Sequence, residues 1–319
     1  MNVLLIGGSN FIGWRLLKSL ESEEHRVTVI NRGNVDREYP SNAEHIVSDR
    51  RDEAMMRSAI GSKEFDVVYD MCGFSVDDMT PVLRVLDGRV GKYVYVSTAA
   101  VYVEPLVMPI GESYPQGPHP RWAAYGSAKL SCEEALRTVH QSSGFPYLVV
   151  RPSYVYGAGN TINRECFLFD RISKARPILI PGGGEAVIQL GEVADLCGAL
   201  LLAGQGPAGC GEAYNVSGSE LVTLRALVRL AQEVVGRETE LVSVVPAEFG
   251  FTDRDLFPFD NSSYFTSSEK FASQFGWSQG ITLREGLEAA YEEWLRFPTR
   301  IPQDYEKEES VLLALGRRH

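Results

Sequence analysis

Short, almost unbroken apolar runs alternate with amphipathic stretches through the first half of the chain. Val3-Leu4-Leu5-Ile6 and Val27-Thr28-Val29-Ile30 predict two strands, with a helix starting at about Phe11 between them. His45–Val47, Asp66–Tyr69, Tyr93–Val96 and Tyr147–Val150 extend the strand series, and helical periodicity fills Val82–Leu86 and Ser127–His140. Strands that are apolar at consecutive positions have no water-facing side. Separated by helices, they predict an α/β fold, a doubly wound parallel sheet covered on both faces.

After Arg151-Pro152 the pattern changes. Gly157–Asn160 and Pro181–Gly184 are turn-rich, and helices near Val193–Leu202, Leu224–Val235 and Leu283–Leu295 are irregularly spaced. The expectation is a domain over residues 1–152 and a smaller C-terminal α/β lobe over 153–319. Some segments of that lobe should return to the first domain. No internal repeat or low-complexity linker interrupts the chain.

Composition narrows the function. The chain has 319 residues, and 31 Lys+Arg against 42 Asp+Glu give a net charge of −11. With 44% hydrophobic and 23% charged residues it is too apolar for disorder. The acidic balance argues against nucleic acid as a partner, which needs a clustered basic surface. No apolar run reaches about 18 residues, so no transmembrane helix and no membrane partner are expected. Met1–Ile6 lacks the basic start and cleavage site of a leader, and the five cysteines (Cys72, Cys132, Cys166, Cys197, Cys210) form no CxxC. A cytoplasmic protein is expected, and five histidines without ligand spacing predict no metal site.

The candidate chemistry begins at Gly7-Gly8-Ser9-Asn10-Phe11-Ile12-Gly13, where the first strand meets the first helix. Such a turn aims backbone N–H groups and a helix N-terminus at a pyrophosphate. Gly7 and Gly8 permit tight turning and close approach, and Gly13 lets the helix pack closely. The second strand ends in Asn31-Arg32 rather than in the Asp or Glu that accepts from an NAD ribose. A neutral residue followed by a guanidinium suits a 2′-phosphate, so NAD(P) is the expected cofactor, with NADP favoured over NAD.

Tyr125 and Lys129 stand i, i+4 on the helix before Tyr147, on one face. A phenol titrating near 10 is a poor base at pH 7, and a neighbouring ammonium pulls it toward neutrality. Tyr125 could then exchange a proton with a substrate hydroxyl while hydride moves. The strand ending Tyr95-Val96-Ser97-Thr98 offers hydroxyls to hold the reacting oxygen.

These blocks resemble the extended or atypical short-chain dehydrogenase/reductases, a Rossmann-fold family, over nearly the whole chain. Ser97–Tyr102, Tyr125/Lys129 and Arg151-Pro152-Ser153-Tyr154-Val155-Tyr156-Gly157 carry the resemblance. It implies that Thr98 occupies the catalytic Ser/Thr place, Ser97 being second choice. It also implies that Asp49 lies at the adenine, that Cys72 and Pro152 lie along the cofactor, and that Lys129 holds the nicotinamide ribose. A homodimer through the Tyr-bearing helix and its neighbour is the family's assembly. Gln189–Asp195, Tyr214–Gly218, Phe257–Asp260, Glu269-Lys270 and Phe275-Gly276-Trp277 are similar to the chloroplast stem-loop-binding branch, whose bacterial relatives are described as nucleotide-sugar epimerase/dehydratase-like.

Departures from the family pattern limit the reaction. Sugar dehydratases carry an acid and a base after the catalytic Thr, where this chain has Ala99 and Ala100. Tyr154 stands at an Asn position of many epimerases, and Ile188 at the place of their diphosphate-gripping arginine. Arg164, Arg171, Arg176 and Arg254 are candidate substitutes. The loop residues Glu104, Glu112, His119 and Arg121 are candidate substrate contacts. The expectation is an NAD(P)-dependent epimerase or ketone/alcohol oxidoreductase acting on a small molecule, a sugar or nucleotide-sugar-like substrate. The rival is a non-catalytic dinucleotide-sensing or RNA-binding protein on the same fold.

Overall fold

In the computed structural model, residues 1–22 and 25–317 are described, Ser22 by its backbone only. The chain runs β1 (Asn2–Ile6), α1 (Phe11–Ser22), β2 (Arg26–Asn31), β3 (Ala43–Val47), α2 (Glu53–Ile60), β4 (Val67–Asp70), α3 (Val76–Leu86), β5 (Tyr93–Val96), α4 (Ala123–Ser143) and β6 (Tyr147–Pro152). It continues through β7 (Tyr154–Tyr156), α5 (Glu165–Ser173), β8 (Ile178–Pro181), β9 (Val187–Glu192), α6 (Val193–Gly204), β10 (Glu212–Val216), β11 (Leu221–Thr223) and α7 (Leu224–Val235). β12 (Leu241–Val244), α8 (Asp253–Leu256), α9 (Glu269–Phe275), α10 (Leu283–Arg296) and α11 (Glu306–Ala314) complete it.

The apolar runs form a seven-stranded sheet in the order β10-β6-β5-β4-β1-β2-β3, every pair parallel. β4, β5 and β6 are buried at every position, while the edge strand β3 is half-buried and carries Glu44 and His45. The order reverses between β1 and β4, the point at which α/β sheets open a crevice beyond their carboxyl ends. Register levels those ends: Ile6 pairs with Ile30 and Asp70, Asp70 with Tyr95, and Val96 with Val150. The glycine turn, Asn31, Met71 and Ser97 therefore emerge side by side.

The chain divides into two units. The first comprises Met1–Tyr154, Val193–Ser217 and Thr266–Gln279. The helix expected near Val193–Leu202 thus belongs to the first unit, where α6 packs on α1, and β10 extends the sheet by pairing Tyr214 with Val150. The rings of Phe271 and Phe275 in α9 lie edge-on to Tyr214 at 5.7 and 5.4 Å. The second unit comprises Val155–Glu192, Gly218–Phe265 and the chain from Gly280 onward. It holds the small sheets β11-β9-β7 and β12-β8, with α5, α7 and α10 packed together. Leu179, Val242, Val244 and Leu256 bury themselves there against Val311 and Leu312 of α11.

Candidate active site

The glycine turn is built by steric exclusion. Gly7 sits at φ +97°, a conformation that side chains rarely adopt, and its N–H donates to the Ile30 carbonyl at 3.0 Å. A Cβ there would stand 2.8 Å from Cys72 Sγ, and a Cβ on Gly13 would stand 2.3 Å from the Gly7 carbonyl oxygen. α1 therefore begins in contact with the turn itself. Gly8 plays a different part from the close approach read in the sequence: it is buried against Leu5 and Val29.

A cavity of about 440 Å³ opens at this turn. The turn contributes Gly7, Ser9, Asn10, Phe11, Ile12 and Gly13; the end of β2 contributes Asn31 and Arg32; and the segment after β3 contributes Asp49, Arg50 and Arg51. Met71, Cys72 and Phe74 after β4 and Val96 at the end of β5 close it. Its place, its volume and the crowding at Gly7 and Gly13 fit a bound dinucleotide lying on the turn. Gly8, Ser97, Thr98, Tyr125, Lys129 and Pro152 do not line it.

At one end of this cavity the Asn31 amide is held on both sides. Its oxygen accepts from Gly33 N–H at 2.8 Å and lies 3.0 Å from His45 Nε2, and its nitrogen donates to Tyr39 Oη at 2.8 Å. The Tyr39 and His45 rings stack at 4.0 Å, and burial lowers the His45 pKa, favouring the neutral imidazole. Arg32 is exposed. Asp49 accepts from Arg51 N–H at 3.0 Å, and Arg51 Nε donates to Asp78 at 2.6 Å.

Arg50, from the cavity lining, makes a two-bonded pair with the fully buried Asp70, at 2.7 and 2.6 Å. Asp70 also accepts from Tyr93 Oη–H at 2.5 Å and from the amides of Cys72 and Gly73 at 3.0 and 3.1 Å. Burial pushes the Asp70 carboxyl up, but the Arg50 charge and hydrogen bonds outweigh it, and the group ends below the ordinary carboxylate range. Burial raises the Cys72 thiol, which keeps it protonated.

Tyr125 and Lys129 lie one turn apart at the start of α4. Tyr125 is 46% exposed, whereas Lys129 is 2% exposed. Lys129 Nζ donates to the Gly73 and Val96 carbonyls, each at 2.8 Å, and burial lowers its pKa to about 8. Ser97 donates to Glu133 at 2.6 Å, and Glu133 is paired with Arg151 at 2.5 and 3.0 Å. Ser97 is thus tied into a buried ion pair. Thr98 Oγ1 accepts from Ala100 N–H at 3.2 Å, which leaves its own O–H to be aimed elsewhere. α4 presses on this segment: a Cβ on Gly126 would stand 2.1 Å from the Ala100 carbonyl oxygen. Pro152 is buried at the end of β6, paired with Val216.

Ile188, at the expected clamp position, is fully buried. The four candidate substitute arginines have internal partners: Arg164 the Val155 carbonyl, Arg171 Glu308, Arg176 Glu309 and Arg254 Asp260. Of the loop candidates, Glu112 accepts from Asn215 N–H at 2.9 Å, Arg121 reaches Glu104 at 3.4 Å, and His119 is buried, stacked on Trp122 at 4.4 Å. Among the described residues no group of three or more His, Cys, Asp or Glu side chains could hold a metal ion. No described helix is long and apolar enough to cross a membrane.

Sequence reasoning passed over Arg50, Arg51, Phe74 and Asp70. A signal existed for the last: a carboxylate closing an otherwise apolar strand needs a buried partner.

The family model of the NAD dependent epimerase/dehydratase family matches residues 3–217. Over 303 residues the chain is 32% identical to the chloroplast stem-loop binding protein of 41 kDa b of Arabidopsis thaliana, covering 91% of this chain and 78% of the relative. It is 26% identical to a UDP-glucose 4-epimerase of Corynebacterium glutamicum over 325 residues, covering 91% and 95%. The crystal structure of a Thermotoga maritima UDP-glucose 4-epimerase with UDP-glucose shares the fold, with a TM-score of 0.80 at 23% identity over 93% of this chain and 99% of that one. Glycine turn, parallel sheet and sequence likeness converge: the chain belongs to the NAD dependent epimerase/dehydratase family and is an enzyme of the short-chain dehydrogenase/reductase type.

Proposed function

We propose that this enzyme is an NAD(P)-dependent epimerase or ketone/alcohol oxidoreductase acting on a sugar or nucleotide-sugar-like substrate. One observation carries the reading. Lys129, one helical turn from Tyr125, bonds both to the Gly73 carbonyl beside the cavity floor and to the Val96 carbonyl just before Thr98. The ammonium thereby links the dinucleotide cavity to the segment that would hold a reacting oxygen.

The turn residues Gly7 and Ser9–Gly13 would hold the pyrophosphate, and Asn31, Arg32 and Asp49 the adenosine end. The nicotinamide supplies hydride acceptance and return when bound. Tyr125 is the general acid/base. Even with its pKa lowered to about 8, Lys129 is mostly cationic at pH 7, and its charge favours the Tyr125 phenolate. Two of its three N–H groups reach carbonyls, and the third is the candidate donor to the nicotinamide ribose. Thr98 orients the substrate oxygen, in preference to Ser97, whose proton goes to Glu133. The buried methyls of Ala99 and Ala100 transfer no proton, which argues against dehydration. NADP is favoured over NAD because Arg32 lines the cavity where a carboxylate would repel a 2′-phosphate. A cytoplasmic homodimer is the assembly proposed from the family likeness.

A second reading, RNA binding, draws on the likeness to the plant stem-loop binding protein. The net charge of −11 argues against it.

Denaturing freshly purified protein and weighing any released nucleotide by mass spectrometry tests the first reading. A near-stoichiometric dinucleotide supports an epimerase that regenerates its cofactor in place. Empty protein that binds NADPH reversibly supports a reductase. Binding of neither dinucleotide refutes both. Tyr125→Phe should then lower turnover by about 10²–10⁴ while leaving dinucleotide affinity in place. A biological activity untouched by this substitution would favour the RNA reading.

A further inference from the structure

The ammonium of Lys129 rests on two backbone carbonyls, and one of them belongs to a segment with an unusual anchor. Gly73 donates its own N–H to Asp70 at 3.1 Å, and its carbonyl accepts from Tyr95 Oη–H at 2.7 Å and from Lys129 at 2.8 Å. The neighbouring Cys72, on the cavity floor, donates its N–H to the same Asp70 oxygen at 3.0 Å. Asp70 is fully buried, and Arg50, 7% exposed, meets both of its oxygens while Nε donates to the Asp78 carbonyl at 2.8 Å. There is little room for the segment to move, since a Cβ on Gly73 would stand 2.5 Å from Met79 Sδ.

Buried ion pairs often contribute little net stability, because desolvation offsets the attraction. Here the carboxylate does something that an apolar pair cannot: it accepts from two consecutive amides at the site. We propose that Asp70, held by Arg50, is a positioning residue of the active site that fixes both the Cys72 backbone under the dinucleotide and the Gly73 carbonyl on which the Lys129 ammonium rests. One buried carboxylate thus sets the cofactor seat and the ammonium together. The inference rests on the role proposed above for Lys129. The charged and titratable groups acting on that ammonium are Asp70, Cys132, Cys72 and Arg50, with the rings of Tyr95 and Phe74 each 4.7 Å from Nζ.

The test compares the wild-type chain with Arg50→Met/Asp70→Leu, a charge-neutral apolar replacement of the pair. Three readouts are taken: the melting temperature, the NADPH dissociation constant, and the titration midpoint of Lys129 in protein labelled with ¹³Cε-lysine. Lys129→Arg assigns the resonance. With the amides of Cys72 and Gly73 left without their acceptor, NADPH affinity should fall about fivefold, the worth of one hydrogen bond. The Lys129 midpoint should fall by about half a pH unit or more, because Asp70 is the foremost group favouring the ammonium and its loss outweighs that of Arg50. A double variant that binds NADPH and titrates like the wild type, whatever its melting temperature, makes the pair at most structural and overturns the proposal. If the double variant does not fold, Asp70→Asn is read on the same measurements. It leaves the Arg50 charge unmatched near the ammonium and should also lower the midpoint, and an unchanged midpoint and affinity again overturn the proposal. Failure of the wild type to bind either dinucleotide would instead refute the proposed function, with the Lys129 titration still deciding the positioning role.

Discussion

In the first unit Arg50 meets Asp70, twenty residues away; in the second, Arg171 meets Glu308, 137 residues away. Both pairs are buried and both are joined by two hydrogen bonds. Their remaining partners differ. Asp70 turns to the amides of Cys72 and Gly73, whereas Arg171 turns to Gln303 and to the Asp304 carbonyl, its guanidinium 3.9 Å from the centre of the Phe167 ring and 4.7 Å from that of Tyr305. One pair holds backbone at a cavity floor; the other fastens the segment that leads into α11. The same ionic chemistry positions a site or closes a fold according to which backbone surrounds it.

The largest expected effect separates the two roles. Arg171→Met leaves Glu308 and Asp170 buried without their guanidinium and should cost about 3–5 kcal/mol in urea unfolding, the cost of breaking a buried pair. NADPH affinity of the folded protein should be unchanged, and a parallel loss of affinity would break the distinction between the two pairs. The next effect belongs to Lys129. Its folded pKa of about 8 lies below the ordinary lysine value of 10.5, so the folded state disfavours the charge by about 3 kcal/mol. Between about pH 8 and 10.5 the unfolded chain holds the extra proton, and stability contributed by this group rises with pH. Relative to Lys129→Met, the wild type should gain stability across that window, and parallel pH profiles would contradict the burial cost. The smallest effect is at the cavity rim. Arg32→Ala should weaken NADPH by about 1–2 kcal/mol and NADH hardly at all, as expected for one charge-assisted contact. An equal change in both would remove the basis for favouring NADP.

Much of the first unit was legible because its signals are local. Val3–Ile6 and Tyr93–Val96 announce buried strands by having no polar side, and Gly7 and Gly13 announce a turn that no larger residue could make. Tyr125 and Lys129 announce a shared helix face by their spacing. Less was legible where the chain returns. The Val193–Leu202 helix reads the same whether it packs on α1 or elsewhere, and Tyr214–Val216 gives no sign that it will extend the sheet beside β6. Ser97 and Thr98 look equivalent in sequence; only the approach of Glu133 from α4 makes one a donor to a buried acid.

The amino-acid sequence by itself determined the strand and helix types, the glycine turn and the chemical character of Tyr125, Lys129 and Arg32. Each follows from periodicity, steric exclusion or intrinsic pKa, properties that a few neighbouring residues fix. Tertiary structure alone decided that Asp70 lies under Arg50, that Lys129 rests between Gly73 and Val96, and that Arg171 takes Glu308. A charged group in a low-dielectric interior takes the partner that strand order and packing bring within about 3 Å, and that partner is set by the path of the whole chain.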